Sequence, residues 1–410
     1  MDITYFYGPP DDGIVREEVI RAIAEAGFTL IPLEAANPEV NKAALRLCGR
    51  YGLKALVRDG RIERFLRRPE ERPEAAVAAM VADYAAFDNV QGWYITDEPH
   101  TGDFPRLAEI ASAFRRAAPG REVYINLFPD YADPGMLRAV DYASYLRLFV
   151  ETVRPEILSY DYYPFLGRDR SLSADKLFLV ETERERGIRQ AAARMEDRTE
   201  FFRNLGAIRE AGLEAGIPTM LILQLTEHGY YRNPTKEELL WQVTHALAYG
   251  VSRISYFTYW LPDSDDGFWL WDNAMVERDG SPNPHYHQVR EINRRLRSLG
   301  KALEGRTSEA VFHADPAEPY GLPLRPHGAL RSLSGGAAVV GFFDDGSFLV
   351  TNKDFRAPAV LELEITGEPA YWDEKEEDWR PCREGAPLAG RDGTYRLRLE
   401  PGDGLLIRAR

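Results

Sequence analysis

Only two of the 410 residues are cysteine, Cys48 and Cys382, and they stand far apart in the chain. They are not expected to pair, and the sequence suits a reducing compartment. There is no Cys-x-x-Cys pair, no ligand-like spacing among the seven histidines and no Gly-rich phosphate loop. Structural zinc and phosphoryl transfer lose ground, and no cofactor or metal is implied. No apolar run approaches the roughly 18 residues needed to span a bilayer, and no basic-then-apolar leader follows Met1. The expectation is therefore a cytoplasmic protein with no membrane partner. Positive charge is also short: 51 Lys and Arg against 65 Asp and Glu leave a net charge of −14. A nucleic-acid partner is not expected, because phosphate backbones are held by clustered cations. The Arg-rich stretches 61–72 and 181–198 have acids mixed through them and read as solvated helix faces.

What is present is a globular composition, 44% hydrophobic and 28% charged, with a clear alternation of short β-rich runs and longer helix-period runs. That alternation predicts βαβ units and a parallel sheet. The predicted strands are Ile3–Tyr7, Thr29–Leu33, Lys54–Arg58, Val90–Thr96, Glu122–Phe128, Ile157–Tyr160, Thr219–Leu223 and Ile254–Tyr259. Helices between them have recognisable ends, such as Arg16–Ala26 closed by Gly27 and Phe104–Ala118 closed by Gly120. Eight units in roughly 300 residues are the count and size of a (β/α)8 barrel. The expected catalytic barrel is residues 1–304, with a helical excursion about 167–198 inserted before a helix at Thr199–Leu213. From 305 to 410, turn signals and short alternating runs (Ala337–Phe343, Ser347–Asn352, Ala359–Ile365, Tyr395–Leu399) predict a small antiparallel, sandwich-like β-domain. The stretch Arg306–Pro326 reads as the connection to it.

Barrel active sites lie at the C-terminal ends of the strands, which turns the strand assignment into a set of candidate residues. The fourth strand ends in Asp97-Glu98-Pro99, the fifth carries Asn126, the sixth Tyr160-Asp161-Tyr162, the seventh Gln224 and then Glu227, the eighth Trp260, and the first Tyr7. Aromatic rings stack on sugar faces, amides and carboxylates bind hydroxyls, and two carboxyls flanking a glycosidic oxygen supply acid and base or nucleophile. Glu98, Asp161 and Glu227 are the candidate catalytic groups. Asp97, Asn126, Tyr160, Tyr162, Gln224, Trp260 and Tyr7 are the candidate substrate contacts, with Trp269 and Trp271 as extensions of an aromatic platform. Glu98, after Trp93-Tyr94-Ile95-Thr96, sits where burial raises a carboxyl into the range of a proton donor. Strand alternation leaves it open whether Asp97 faces the same way.

The run Gly92-Trp93-Tyr94-Ile95-Thr96-Asp97-Glu98-Pro99 resembles the fourth-strand acid motif of clan A glycoside hydrolases. Tyr7-Gly8-Pro9-Pro10, Ala24-Glu25-Ala26-Gly27-Phe28, Tyr51-Gly52-Leu53-Lys54 and the eighth-strand Trp260 are similar to that group's early strands and platform tryptophan. The resemblance implies an O-glycosyl hydrolase acting on an oligosaccharide or small glycoside, with Glu98 as acid and either Asp161 or Glu227 as second carboxylate. Two departures stand out: Asp97 occupies the position of an Asn that binds the sugar 2-hydroxyl, and Gln224 occupies the position of the seventh-strand nucleophile. The pair Asp97-Glu98 with Tyr160-Asp161 is also similar to hexosaminidases and chitinases that use the substrate's acetamido group as nucleophile. That likeness implies a substrate-assisted alternative, and a barrel that only binds carbohydrate is the third.

Overall fold

The computed structural model describes residues 1–68, 70–167, 195–263, 270–315 and 317–409. Eight parallel strands form one sheet: β1 Asp2–Phe6, β2 Leu30–Leu33, β3 Lys54–Val57, β4 Val90–Asp97, β5 Glu122–Leu127, β6 Leu158–Tyr162, β7 Thr219–Gln224 and β8 Arg253–Phe257. Their order is β1-β8-β7-β6-β5-β4-β3-β2, so β1 and β2 meet across the remaining seam. The Thr29 N–H donates to the Ile3 carbonyl (3.0 Å), and the Ile3 N–H donates to Thr29 Oγ1 (2.9 Å), stitching that seam together. The expected barrel is therefore the observed one.

Alternation sorts each strand's side chains between two cores. Leu30, Leu56, Tyr94, Tyr124, Ile157, Met220 and Ile222 fill the barrel interior together with Phe6 and Phe257. Ile3, Tyr5, Val57, Trp93, Ile95, Tyr160, Tyr162, Leu221 and Tyr256 belong to the larger core between sheet and helices. At the barrel floor Arg253 forks onto Glu122 (2.7 and 2.9 Å) and lies 3.6 Å from Asp2, which also accepts from Gln91 and neighbours Lys54.

The helices around the sheet start and stop where local chemistry dictates. Asn37 accepts from the Glu39 N–H in front of Pro38–Arg50, and Thr235 with Glu238 forms a capping box before Lys236–Ala248. Gly216, at φ 66°, ends Phe201–Ala215 in the left-handed conformation that glycine adopts freely. Among the described residues no helix is long and apolar enough to cross a membrane. The excursion expected about 167–198 lies almost wholly outside the described residues, as does Trp269.

The C-terminal strands are antiparallel. Four of them, β10 Leu330–Ser334, β13 Ala359–Ile365, β17 Thr394–Leu399 and β16 Leu388–Arg391, form one sheet. The other sheet runs β15 Asp378–Pro381, β14 Pro369–Asp373, β18 Gly404–Ala409, β12 Phe348–Asn352, β11 Ala338–Phe343, β9 Ser308–His313. The strand β9 corrects the expectation that 306–326 is only a connection. Its residues alternate weakly in polarity, and what makes them a strand is the ladder with β11.

This six-stranded sheet docks on the barrel. Trp241 Nε1 donates to the Lys353 carbonyl (2.9 Å), Thr244 Oγ1 to the Gly402 carbonyl (2.8 Å) and Trp372 Nε1 to Ser298 Oγ (3.0 Å). Gly341 lies so close to helix Lys236–Ala248 that an added Cβ would sit 1.9 Å from the Ala248 carbonyl oxygen.

Candidate active site

The β4 strand carries the feature that builds the site. Tyr94 pairs with Tyr124 and Asp97 with Asn126, so two β4 residues, Ile95 and Thr96, stand opposite Ile125. Such a bulge shifts the alternation by one residue, and Asp97 faces the barrel mouth instead of the helices. Glu98 then turns back at φ 45°, a left-handed conformation that costs a non-glycine residue about 1–2 kcal/mol. Its N–H still donates to the Asn126 carbonyl (2.9 Å), and the Tyr145 hydroxyl holds the Pro99 carbonyl (2.8 Å), which fixes the turn. Bulge and turn together aim two consecutive carboxyls at one opening.

Asp161, buried on β6, completes a cluster of three. Its carboxyl lies close enough to that of Glu98 for the two to perturb each other. Asn126 Nδ2 donates to both Asp97 Oδ1 and Asp161 Oδ1, each at 3.0 Å, and Asn126 Oδ1 accepts from Ser159 Oγ at 2.9 Å. Burial raises the Glu98 carboxyl strongly, and the neighbouring negative charges of Asp161 and Asp97 raise it further. Asp161 is raised by burial and by Asp97 and pulled back by its hydrogen bonds from Asn126 and Glu98. Asp97 is different: water in the mouth reaches it although protein surrounds it on all other sides. Its carboxyl is raised by burial and lowered again by Asn126 and Arg58. Two neighbouring buried carboxyls cannot both ionise easily, so the Glu98–Asp161 pair resists losing its last proton.

An aromatic wall faces this cluster. Trp271 stacks on His228 (centroids 4.9 Å, interplanar 18°) and meets Tyr7 edge-on at 6.1 Å; Tyr163 lies 5.1 Å from Phe257 and 5.6 Å from His228. Tyr7, 46% exposed and at φ 50°, forms the outer lip. On the other side Glu34 and Arg58 pair at 3.4 Å, with the guanidinium 5.1 Å above the Tyr94 ring. The Glu34 carboxyl is raised by burial and lowered by Arg58.

Several candidates from the sequence are placed elsewhere. Tyr160 and Tyr162 face the helices, Tyr162 packing on Tyr131 and Phe201 at 5.1 and 5.4 Å. Since Asp161 points inward, its neighbours on a strand must point outward, so neither ring reaches the mouth. Gln224 is fully buried. Its Oε1 accepts from the Phe165 N–H (2.8 Å) and its Nε2 donates to the Phe165 and Arg232 carbonyls (both 2.9 Å), so it ties loops together.

Trp260 is buried beneath the turn that follows β8, bridged to Val276 and with its ring edge against Gly280. Asn126 is buried with both amide hydrogens committed to carboxylates. Glu227 sits on the rim, paired by backbone with Asp272 and accepting from Asn273 Nδ2 at 2.7 Å. Arg58, Glu34, Tyr163 and His228 stand in the strand-end stretches that the sequence marks but were assigned no role from it; parity with Asp161 picks out Tyr163, and position at a strand end picks out Glu34 and Arg58.

No family model matches this chain, and no curated protein matches it. Solved structures do. A family 39 glycoside hydrolase from the gut symbiont Bacteroides cellulosilyticus WH2 superposes with a TM-score of 0.54 at 12% identity, covering all of this chain and 81% of that one. The likeness is one of fold. It spans the barrel and the antiparallel sheets together. A β-galactosidase from Marinomonas ef1 matches at 11% identity and a TM-score of 0.49, over 74% of this chain and 60% of that one. An α-L-arabinofuranosidase from Thermotoga maritima matches at 10% identity and a TM-score of 0.46, over 98% of this chain and 92% of that one.

Proposed function

We propose that this chain hydrolyses a glycosidic bond, with Glu98 protonating the departing oxygen and Asp161 as its anionic partner. The observation that carries this is the cluster of Glu98, Asp161 and Asp97, the two aspartates joined by Asn126, held in a ring-lined mouth at the C-terminal rim of the barrel. A sugar lying on Trp271 and Tyr7 brings its anomeric carbon over the pair. Glu98 gives its proton to the leaving oxygen as the C–O bond breaks, and Asp161 attacks the anomeric carbon. Water then displaces Asp161, handing a proton back to Glu98. Inverting enzymes keep their carboxyls ~6.5–9.5 Å apart to admit a water, whereas retaining pairs stand ~5–5.5 Å apart. The nearness of Glu98 and Asp161, close enough for each to shift the other, fits the shorter of these spacings better.

A second reading is favoured by the β4 bulge, which brings Asp97 into the mouth beside Glu98, and by the engagement of Gln224 elsewhere. Here a 2-acetamido group of the substrate is the nucleophile, Asp97 orients and stabilises it, and Glu98 remains the acid. The supporting fold likeness is to a glycoside hydrolase. We place the catalytic part in residues 1–304 and the buttressing β-part in 305–410. Cys48 and Cys382 are both free, which supports a reducing, cytoplasmic setting.

The test is a panel of aryl glycosides with either a hydroxyl or an acetamido group at C2. Turnover of 2-hydroxy substrates, with a 2-deoxy-2-fluoro glycoside labelling Asp161, supports the first reading. Turnover restricted to acetamido substrates and blocked by a thiazoline supports the second. No turnover on the panel, with Glu98→Gln binding sugar as wild type does, leaves a binding protein.

A further inference from the structure

Asn126 was expected to touch substrate, yet both N–H groups of its amide and one lone pair of its carbonyl oxygen are already used. Its Oδ1 accepts from Ser159 Oγ (2.9 Å), and Ser159 Oγ lies 3.2 Å from the Tyr124 hydroxyl in the barrel interior. Because the serine hydrogen goes to Asn126, the tyrosine hydrogen goes to the serine. Donation therefore runs one way: Tyr124 to Ser159, Ser159 to the Asn126 carbonyl. The opposite end of the same amide then presents two N–H groups outward, one to Asp97 Oδ1 and one to Asp161 Oδ1. A flipped amide would set its carbonyl oxygen against two carboxylates and its N–H against the serine, so the network admits a single orientation.

An amide with two hydrogens and no net charge satisfies anionic acceptors and offers nothing to a carboxylic acid O–H. We propose that Asn126 is a positioning residue that decides which of the three carboxyls carries the proton: it holds Asp97 and Asp161 as anions and leaves the proton on Glu98. The inference rests on the reading of Glu98 as an acid and adds the element that orients it. Other groups facing the cluster do not take over this task. Arg58, from β3, acts on Asp97 but is bound to Glu34 of the β2 end. The hydroxyl of Tyr145, on the helix Tyr142–Val153, is committed to the Pro99 carbonyl. Tyr163, two residues on from Asp161, is a buried neutral phenol raised well above its ordinary range by burial.

The experiment is infrared titration of the substrate-free protein, following the carboxylic-acid C=O band, together with pH–rate profiles. Wild type should show a buried acid band near neutral pH that Glu98→Gln removes. In Asn126→Ala the two aspartates lose their donors. A hydrogen bond to a charged group contributes roughly 1.5–3 kcal/mol, so protonation of the aspartates should move up by about one to two pH units. A second acid band then appears near neutral pH, and the acidic limb of kcat/KM shifts upward by the same amount while KM stays close to wild type. Ser159→Ala, which frees the amide to turn, should give a smaller shift in the same direction and serves if Asn126→Ala folds poorly. A stable Asn126→Ala or Ser159→Ala protein whose band titrates as wild type overturns the proposal. The infrared readout needs no substrate, so turnover surviving in Glu98→Gln would remove the acid role without deciding this one.

Discussion

Replacing Glu98 by Gln keeps the shape of the side chain and removes its proton, and the consequence for stability is calculable. In the unfolded chain a glutamate ionises near its ordinary value of 4.5, whereas in the folded protein burial, Asp161 and Asp97 hold Glu98 protonated well above that. Between the two values the native state binds one more proton than the unfolded state. The contribution is therefore fully present below pH ~4.5 and is lost as pH rises toward the folded value, at about 1.4 kcal/mol per pH unit.

From about pH 5.5 to 7.5 one proton accounts for ~2.7 kcal/mol. For a chain of 410 residues, an unfolding entropy of roughly 2.1 cal/mol/K per residue converts this to a fall of ~3 °C in Tm. Glu98→Gln should lack this slope, and its amide N–H, donated to Asp161, should flatten the curve further by keeping that aspartate ionised. Urea unfolding of both proteins at several pH values, followed by tryptophan fluorescence, measures it. Equal slopes for wild type and Glu98→Gln across this window would mean that Glu98 is ionised at neutral pH, and the acid assignment would fail with it. The same variant should lose turnover by roughly 10²- to 10⁴-fold, the usual weight of general acid catalysis.

Other expectations follow from the same geometry. Asp161→Asn should abolish turnover of 2-hydroxy glycosides while leaving the protein as stable as wild type or more so, because it relieves a buried repulsion; thermal melts and rates check both. Trp271→Ala should raise KM at least several-fold with a modest change in kcat, since its ring lies in the wall beside Tyr7. Trp260→Ala, in contrast, should act through stability, costing ~3–5 kcal/mol as large-to-small core changes do, which chemical denaturation would register. Gly341→Ala would drive a methyl into the Ala248 carbonyl and should loosen the six-stranded sheet from the barrel. The measurable result is earlier proteolysis within 308–409 at unchanged substrate specificity.

How much of this was readable beforehand depended on how local the determinant is. Strand positions were legible within one or two residues because each apolar run is set by its own burial and ended by its own glycine or proline. The strand β9 was not, since Ser308–His313 has little alternation and exists through pairing with β11. At the site, the strand-end rule named Glu98, Asp97 and Asp161, which the structure brings together. It also named Tyr160 and Tyr162, which parity with Asp161 excludes; period-two alternation applied strictly would have replaced both with Tyr163. The inward turn of Asp97 was beyond reach, because a bulge is a mismatch between two strands and leaves no mark on either alone. The engagement of Gln224 by the backbone of Phe165 and Arg232, and of Asn126 by the side chains of Asp97, Asp161 and Ser159, was equally hidden, as the partners come from other strands and loops.

The knot of Asp2, Lys54, Gln91, Glu122 and Arg253 beneath the ring of strands makes the barrel a blind well. Above it the packed layer of Leu30, Leu56, Tyr94, Tyr124, Met220 and Ile222 closes the shaft. Among the described residues, sugar, solvent and hydronium therefore approach the carboxyls from the open end of the barrel, where Tyr7 and Trp271 stand. A ligand seated at that end covers the carboxyls it reacts with and slows their exchange of protons with the bath.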